Sequence, residues 1–90
     1  RAQKKYGASV DIWAIGVCLF EMMTLQPFDY NSYVHSQNYL QSKFVPIKKE
    51  YKSIFFELIQ NCLSIDPTKR PLPSVIVKWI KSAATKHELD

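Results

Sequence analysis

Ser9-Val10-Asp11-Ile12-Trp13-Ala14-Ile15-Gly16-Val17-Cys18-Leu19-Phe20-Glu21-Met22-Met23-Thr24 is the stretch on which the fold turns. From Ile12 to Phe20 it is apolar without a break and shows no hydrophilic face. It runs on to Thr24 before Pro27 stops it, so length decides for a helix over about residues 10–24 rather than a strand. Ser9 supplies an N-cap oxygen, and Asp11 suits the positive end of the helix dipole. A helix that is apolar all round reads as buried on every side and must be sheathed. A chain of 90 residues holds too little other apolar material for that. The chain therefore reads as part of a larger body.

The remaining composition fits a packed core, with 47% hydrophobic and 13% aromatic residues arguing against disorder. The apolar run is about half the length of a bilayer span, and no charged-then-apolar leader opens the chain, so no membrane partner is expected. Cys18 and Cys62 lack a C-x-x-C or a histidine at metal spacing. Both read as core thiols of a reducing compartment, hence an intracellular, cytoplasmic protein. The net charge of +4 raises the question of an anionic partner. Lys48, Lys49, Lys52, Lys78, Lys81 and Lys86 are spread along the second half, and Arg1 and Arg70 are the only arginines. Solvated helix faces explain such a distribution better than a nucleic-acid footprint.

Three further helices follow. Tyr33, Val34, Tyr39 and Leu40 give part of a helical stripe among polar residues, a surface helix over about 31–42. Phe44-Val45-Pro46-Ile47 reads as an extended linker. Ile54, Phe55, Leu58, Ile59, Cys62 and Leu63 recur at helical spacing, an amphipathic helix over about 50–63. Asp66-Pro67-Thr68-Lys69-Arg70-Pro71 is a turn, since each proline removes a donor and biases its predecessor away from helix. Val75, Ile76, Trp79 and Ile80 mark the buried stripe of a last helix over about 72–83, with a fraying tail from Ala83 to Asp90. The expectation is an all-α fold of four helices with no strands.

Two of these segments belong together. The first carries Asp11, Trp13 and Gly16 as D-x-W-x-x-G, and the second, about 45 residues later, reads D-P-x-x-R-P from Asp66 to Pro71. In this order and spacing they resemble the C-terminal, helical lobe of a eukaryotic protein kinase, across about residues 6–80. Met23 to Phe28, followed by Ser42 to Ile47, is similar to the NIMA-related serine/threonine kinases. The resemblance implies that Asp11 accepts hydrogen bonds from backbone N–H groups of a catalytic loop and so anchors it. A simple first-turn Asp, worth about 0.3–1 kcal/mol through the helix dipole, is the plainer reading. Trp13 and Gly16 are packing residues of the central helix. Arg70 resembles the arginine that pairs with the Glu of an Ala-Pro-Glu motif; its planar fork suits a carboxylate. Tyr33, Tyr39 and Phe44 fall where the family carries an exposed helix that docks substrates or regulators, although packing against the lobe would equally account for them. His35 and His87 have no partners that would form a triad or metal site.

Phosphoryl transfer in this family needs a Gly-rich loop, a strand Lys, a catalytic-loop His-Arg-Asp and a metal-binding Asp-Phe-Gly. None stands in this sequence, whose only glycines are Gly7 and Gly16. The resemblance therefore implies no catalytic, cofactor or metal residue here, and assigns ATP and Mg to a parent polypeptide. Its upstream lobe would be the first partner, with protein substrates or regulators beyond it. A non-catalytic module or remnant derived from a kinase is the rival reading, and a basic helical nucleic-acid binder a remote one. Two positions depart from the family pattern. The Thr24 to Phe28 turn is one residue short, and Leu72 stands where Ser or Thr would cap the last helix.

Overall fold

A computed structural model describes residues 2–88 in backbone and 10–85 in side chain. The fold is all-α: α1 (Ala2–Thr24), α2 (Tyr30–His35), α3 (Tyr39–Lys43), α4 (Lys49–Cys62), a single 3-10 turn (Pro67–Lys69) and α5 (Pro73–Glu88). No strand occurs among the described residues.

Five α-helices replace the four expected. The surface helix placed at 31–42 is two short helices, because Ser36 turns to an extended conformation (φ −137°, ψ 118°) between them. Ser36 and Asn38, whose short polar side chains compete with the helical backbone, favour such local breaks. The helix expected at 10–24 begins at Ala2, so Ser9 lies within it rather than at its N-terminus. No Pro stands before it to stop the helix extending backward. The last helix, expected at 72–83, starts at Pro73 and continues through the tail to Glu88; Leu89 and Asp90 lie outside the described residues. Phe44 to Ile47 is a turn rather than an extended linker, closed by the Ile47 N–H donating to the Phe44 carbonyl at 3.0 Å. α4, read at 50–63, is observed at Lys49–Cys62.

The core forms where α1 crosses α4. Phe20, Tyr39, Leu40, Phe44, Ile59 and Leu63 make one buried cluster, and Ile12, Leu58, Cys62 and Ile76 a second. Gly16 sits between them at the crossing. A Cβ built there would lie 2.8 Å from Cys62 Cβ and 2.9 Å from Leu63 Cδ2, closer than side-chain carbons pack. The absence of a side chain is what lets the two helices meet. α5 docks on α4 through Ile76 and through Trp79, whose Nε1 donates to the Ile54 carbonyl at 2.8 Å.

Two aspartates fix the connections. Asp29 caps α2, accepting from the Ser32 N–H at 3.3 Å and the Ser32 hydroxyl at 2.8 Å. Its own N–H donates to the Tyr39 hydroxyl at 3.0 Å, tying the α1–α2 turn to α3. Asp66 does the same for the 3-10 turn, accepting from the Thr68 N–H at 3.0 Å and hydroxyl at 2.7 Å. α5 has no such cap: Leu72 offers only its carbonyl, which accepts from Val75 and Ile76 N–H.

Candidate functional site

Over its described side chains α1 is buried on one side only; this chain does not itself sheathe the helix all round. At 100° per residue, Ile12, Gly16, Leu19, Phe20 and Met23 fall on one arc and turn inward. Val10, Asp11, Ala14, Ile15, Cys18 and Met22 fall on the other and are exposed, Val10 at 56% and Met22 at 69%. The arc ends at Leu25, which is 86% exposed and holds a left-handed backbone at φ 58°. Cys18 is therefore a surface thiol and not a core one. Cys62 is buried, and burial pushes its thiol pKa up. The apolar run of the sequence is continuous around α1, and the other helices cover only half of it.

This arc carries two charges, Glu21, whose carboxylate accepts from the Phe28 N–H at 2.9 Å, and Asp11. The Asp11 carboxylate is exposed and makes no hydrogen bond to another described residue. Trp13 and Arg70 meet on the far side of the same helix. The Arg70 guanidinium carbon lies 4.9 Å from the centre of the Trp13 ring, within cation–π range. Arg70 Nε also donates to the Ser64 carbonyl at 2.9 Å, and the Asp66-capped turn sets the backbone from which the side chain projects. Trp13 is further boxed by Phe28 and Tyr30 at 5.9 Å and Tyr33 at 6.1 Å. The structure thus gathers Trp13, Arg70 and Tyr33, places Gly16 one turn on against α4, and leaves Asp11 apart.

Of the three aromatics expected at a docking surface, two are core residues. Tyr39 is 7% exposed and Phe44 fully buried, both inside the first core cluster. Phe20 stacks on Tyr39 at 5.8 Å, and Phe44 packs edge-on against Phe56 at 5.2 Å. Tyr33 is half-buried and donates its hydroxyl proton to the Leu63 carbonyl. Burial raises its pKa, with Arg70 opposing. These rings read as surface residues in a polar stretch because Tyr33 and Tyr39 sit on separate short helices and Phe44 just past the second, so no clear stripe appears.

The sequence matches the protein kinase domain family over residues 2–80. The chain belongs to the protein kinase family. Its relatives include NIMA-related kinases. It is 36% identical to the serine/threonine-protein kinase Nek4 of Mus musculus over 78% of this chain and 9% of that protein. It is 30% identical to the G2-specific protein kinase nimA of Emericella nidulans over 84% of this chain and 11% of that protein. The serine/threonine-protein kinase greatwall of Xenopus laevis, 34% identical over 76% of this chain and 8% of its own length, is similar as well. The kinase chain thus spans about a tenth of these relatives. No solved structure matches it.

Among the described residues no group of three or more His, Cys, Asp and Glu could hold a metal ion. Gly16, the one glycine described in side-chain detail, is packed on α4 and cannot cradle a phosphate. Among the described residues, too, no helix is long and apolar enough to cross a membrane.

Proposed function

We propose that this chain is the C-terminal part of the helical lobe of a serine/threonine protein kinase, and that α1 seats the catalytic loop of its parent polypeptide. The observation that carries the reading is Asp11: an exposed carboxylate without a hydrogen-bonding partner among the described residues, set on the largely apolar outer arc of α1. Covering that arc would bury the carboxylate, and a buried carboxylate is tolerated only with donors supplied. A segment that brings backbone N–H groups satisfies both demands. A second copy of α1 does not. Packed antiparallel, it would set Asp11 near the exposed Glu21 of the other copy, and like charges resist burial together. In this reading Asp11 is a positioning residue, Trp13 and Gly16 hold α1 in place, and Arg70, braced on Trp13, pairs with a carboxylate from upstream. ATP and Mg are bound by the parent, in an intracellular compartment.

The test is phosphoryl transfer by the parent polypeptide with Asp11→Asn. Losing a charge-assisted hydrogen bond network worth about 1.5–3 kcal/mol lowers kcat by about ten- to a hundredfold, with KM for ATP little changed. Unchanged kcat in the variant removes the anchoring role. A parent that transfers no phosphate, yet folds, leaves a kinase-derived interaction module. Retention on nucleic acid that survives raised salt with a sequence preference would instead favour the basic binder.

A further inference from the structure

A groove of about 460 Å³ lies between the α2–α3 corner and the C-terminal half of α4, away from Asp11 and Arg70. Its floor is apolar, made by Tyr33, Leu40 and Phe56, and its rim carries Gln37, Gln41 and Gln60. We propose that this groove binds an extended, uncharged peptide segment of a partner protein, which inserts one large apolar side chain and lays its backbone along the three glutamines.

Charge complementarity selects the occupant. No Asp, Glu, Lys or Arg lines the groove, so a charged ligand would lose hydration with no counter-ion to replace it. The other polar groups of the wall are largely committed. Tyr33 donates to the Leu63 carbonyl, and His35 Nδ1 is held 2.8 Å from the Asn31 carbonyl. The three carboxamides are not: all are exposed, and none hydrogen-bonds another described residue. Each offers both a donor and an acceptor, the pair of functions a peptide group needs when it leaves water. Ile65, 56% exposed at the margin, extends the apolar surface for the inserted side chain. A nucleic acid would need cations here for its phosphates, and the nearest helix faces offer none in the lining. The size agrees with ligand sites in general, which run from about 300 to 1,000 Å³. The proposal does not depend on phosphoryl transfer by the parent, because the groove is complete within this chain.

The experiment is fluorescence anisotropy on the full polypeptide with short labelled peptides, blocked at both ends, built of serine and glycine around one central leucine, aspartate or lysine. The leucine peptide is expected to bind at least about tenfold more tightly than either charged one. Gln41→Glu and Gln60→Glu, both at exposed positions that leave the fold intact, should each weaken the leucine peptide by about tenfold. Lys78→Gln, on α5 and outside the groove lining, should leave it unchanged. Equal affinity for the three peptides, or full binding by both glutamate variants, overturns the proposal. So does preferential binding of a labelled single-stranded oligonucleotide that the leucine peptide fails to displace.

Discussion

The two faces of α1 have nearly the same chemistry and opposite fates. Ile12, against α4 and α5, and Phe20, against α3 and α4, are enclosed, whereas Val10, Ile15 and Met22, no less apolar, face outward. The hydrophobic effect acts on area removed from water, so only the first set stabilises the chain by itself. The second set stores the same free energy for whatever covers it. Comparing the faces in the chain alone and in its parent therefore separates folding from assembly.

Phe20 and Met22 give the largest contrast. Phe20 is fully buried among Phe28, Tyr39 and Phe44, so Phe20→Ala should cost about 3–5 kcal/mol in either setting. Met22→Ala should change the stability of the chain alone by less than about 0.5 kcal/mol. In the parent it should cost about 2–5 kcal/mol, as a core methionine does. Urea denaturation of both proteins checks this. A Met22→Ala cost that stays small in the parent breaks the comparison, because the outer face would then be uncovered there too.

Gly16 and Ala14 sharpen it at the level of one methyl group. Gly16→Ala forces a carbon into contact with Cys62 and Leu63 and should destabilise by about 1–3 kcal/mol. Ala14→Ser, half a turn earlier on the open face, should move the chain alone by less than about 0.5 kcal/mol. Equal effects at the two positions in a thermal melt would mean that the α1–α4 crossing can relax.

Leu25 tests whether the outer face is held open at a cost. Its left-handed backbone carries a penalty of about 1–2 kcal/mol for a residue with a side chain, and Gly is the usual occupant of such a helix end. Leu25→Gly should therefore stabilise the chain alone by about 1 kcal/mol, seen as a raised urea midpoint. A fall in the parent's stability from the same change would show that the leucine serves the covering segment.

The same asymmetry explains what was legible in the sequence. α4 could be read to within a residue at either end because one apolar face alternates with one polar face, so periodicity alone orients it. α1 has no polar face, so its sequence marks it as a helix but not which half this chain would cover. Its exposed Cys18 followed from that same blindness. Tyr39 and Phe44 were placed at the surface because α3 spans only Tyr39–Lys43, too short for a stripe to declare itself. Trp13 and Arg70 stand far apart in the chain, and their ring contact depends on the Asp66 turn and on α4 lying across α1. The glutamine rim gave no local signal at all. Gln37 and Gln41 come from one corner and Gln60 from another helix, and only the packing sets them around one groove.

The smallest effect concerns the carboxylates. Asp29 and Asp66 are hydrogen-bonded where Asp11 has no such partner among the described residues. The Ser32 hydroxyl and N–H hold the Asp29 carboxyl below its ordinary 3.8, and the Thr68 hydroxyl and N–H do the same for Asp66. A carboxyl with a depressed folded pKa favours the native state above its ordinary value, and that contribution is lost as pH falls through the depressed one. Both groups are at the surface, so the effect is modest. Melting temperature followed from about pH 5 to about pH 2 should fall as the two caps are protonated. The double variant Asp29→Asn, Asp66→Asn should melt lower at the upper end and lose less on acidification. If the two curves run parallel, the acid sensitivity arises elsewhere.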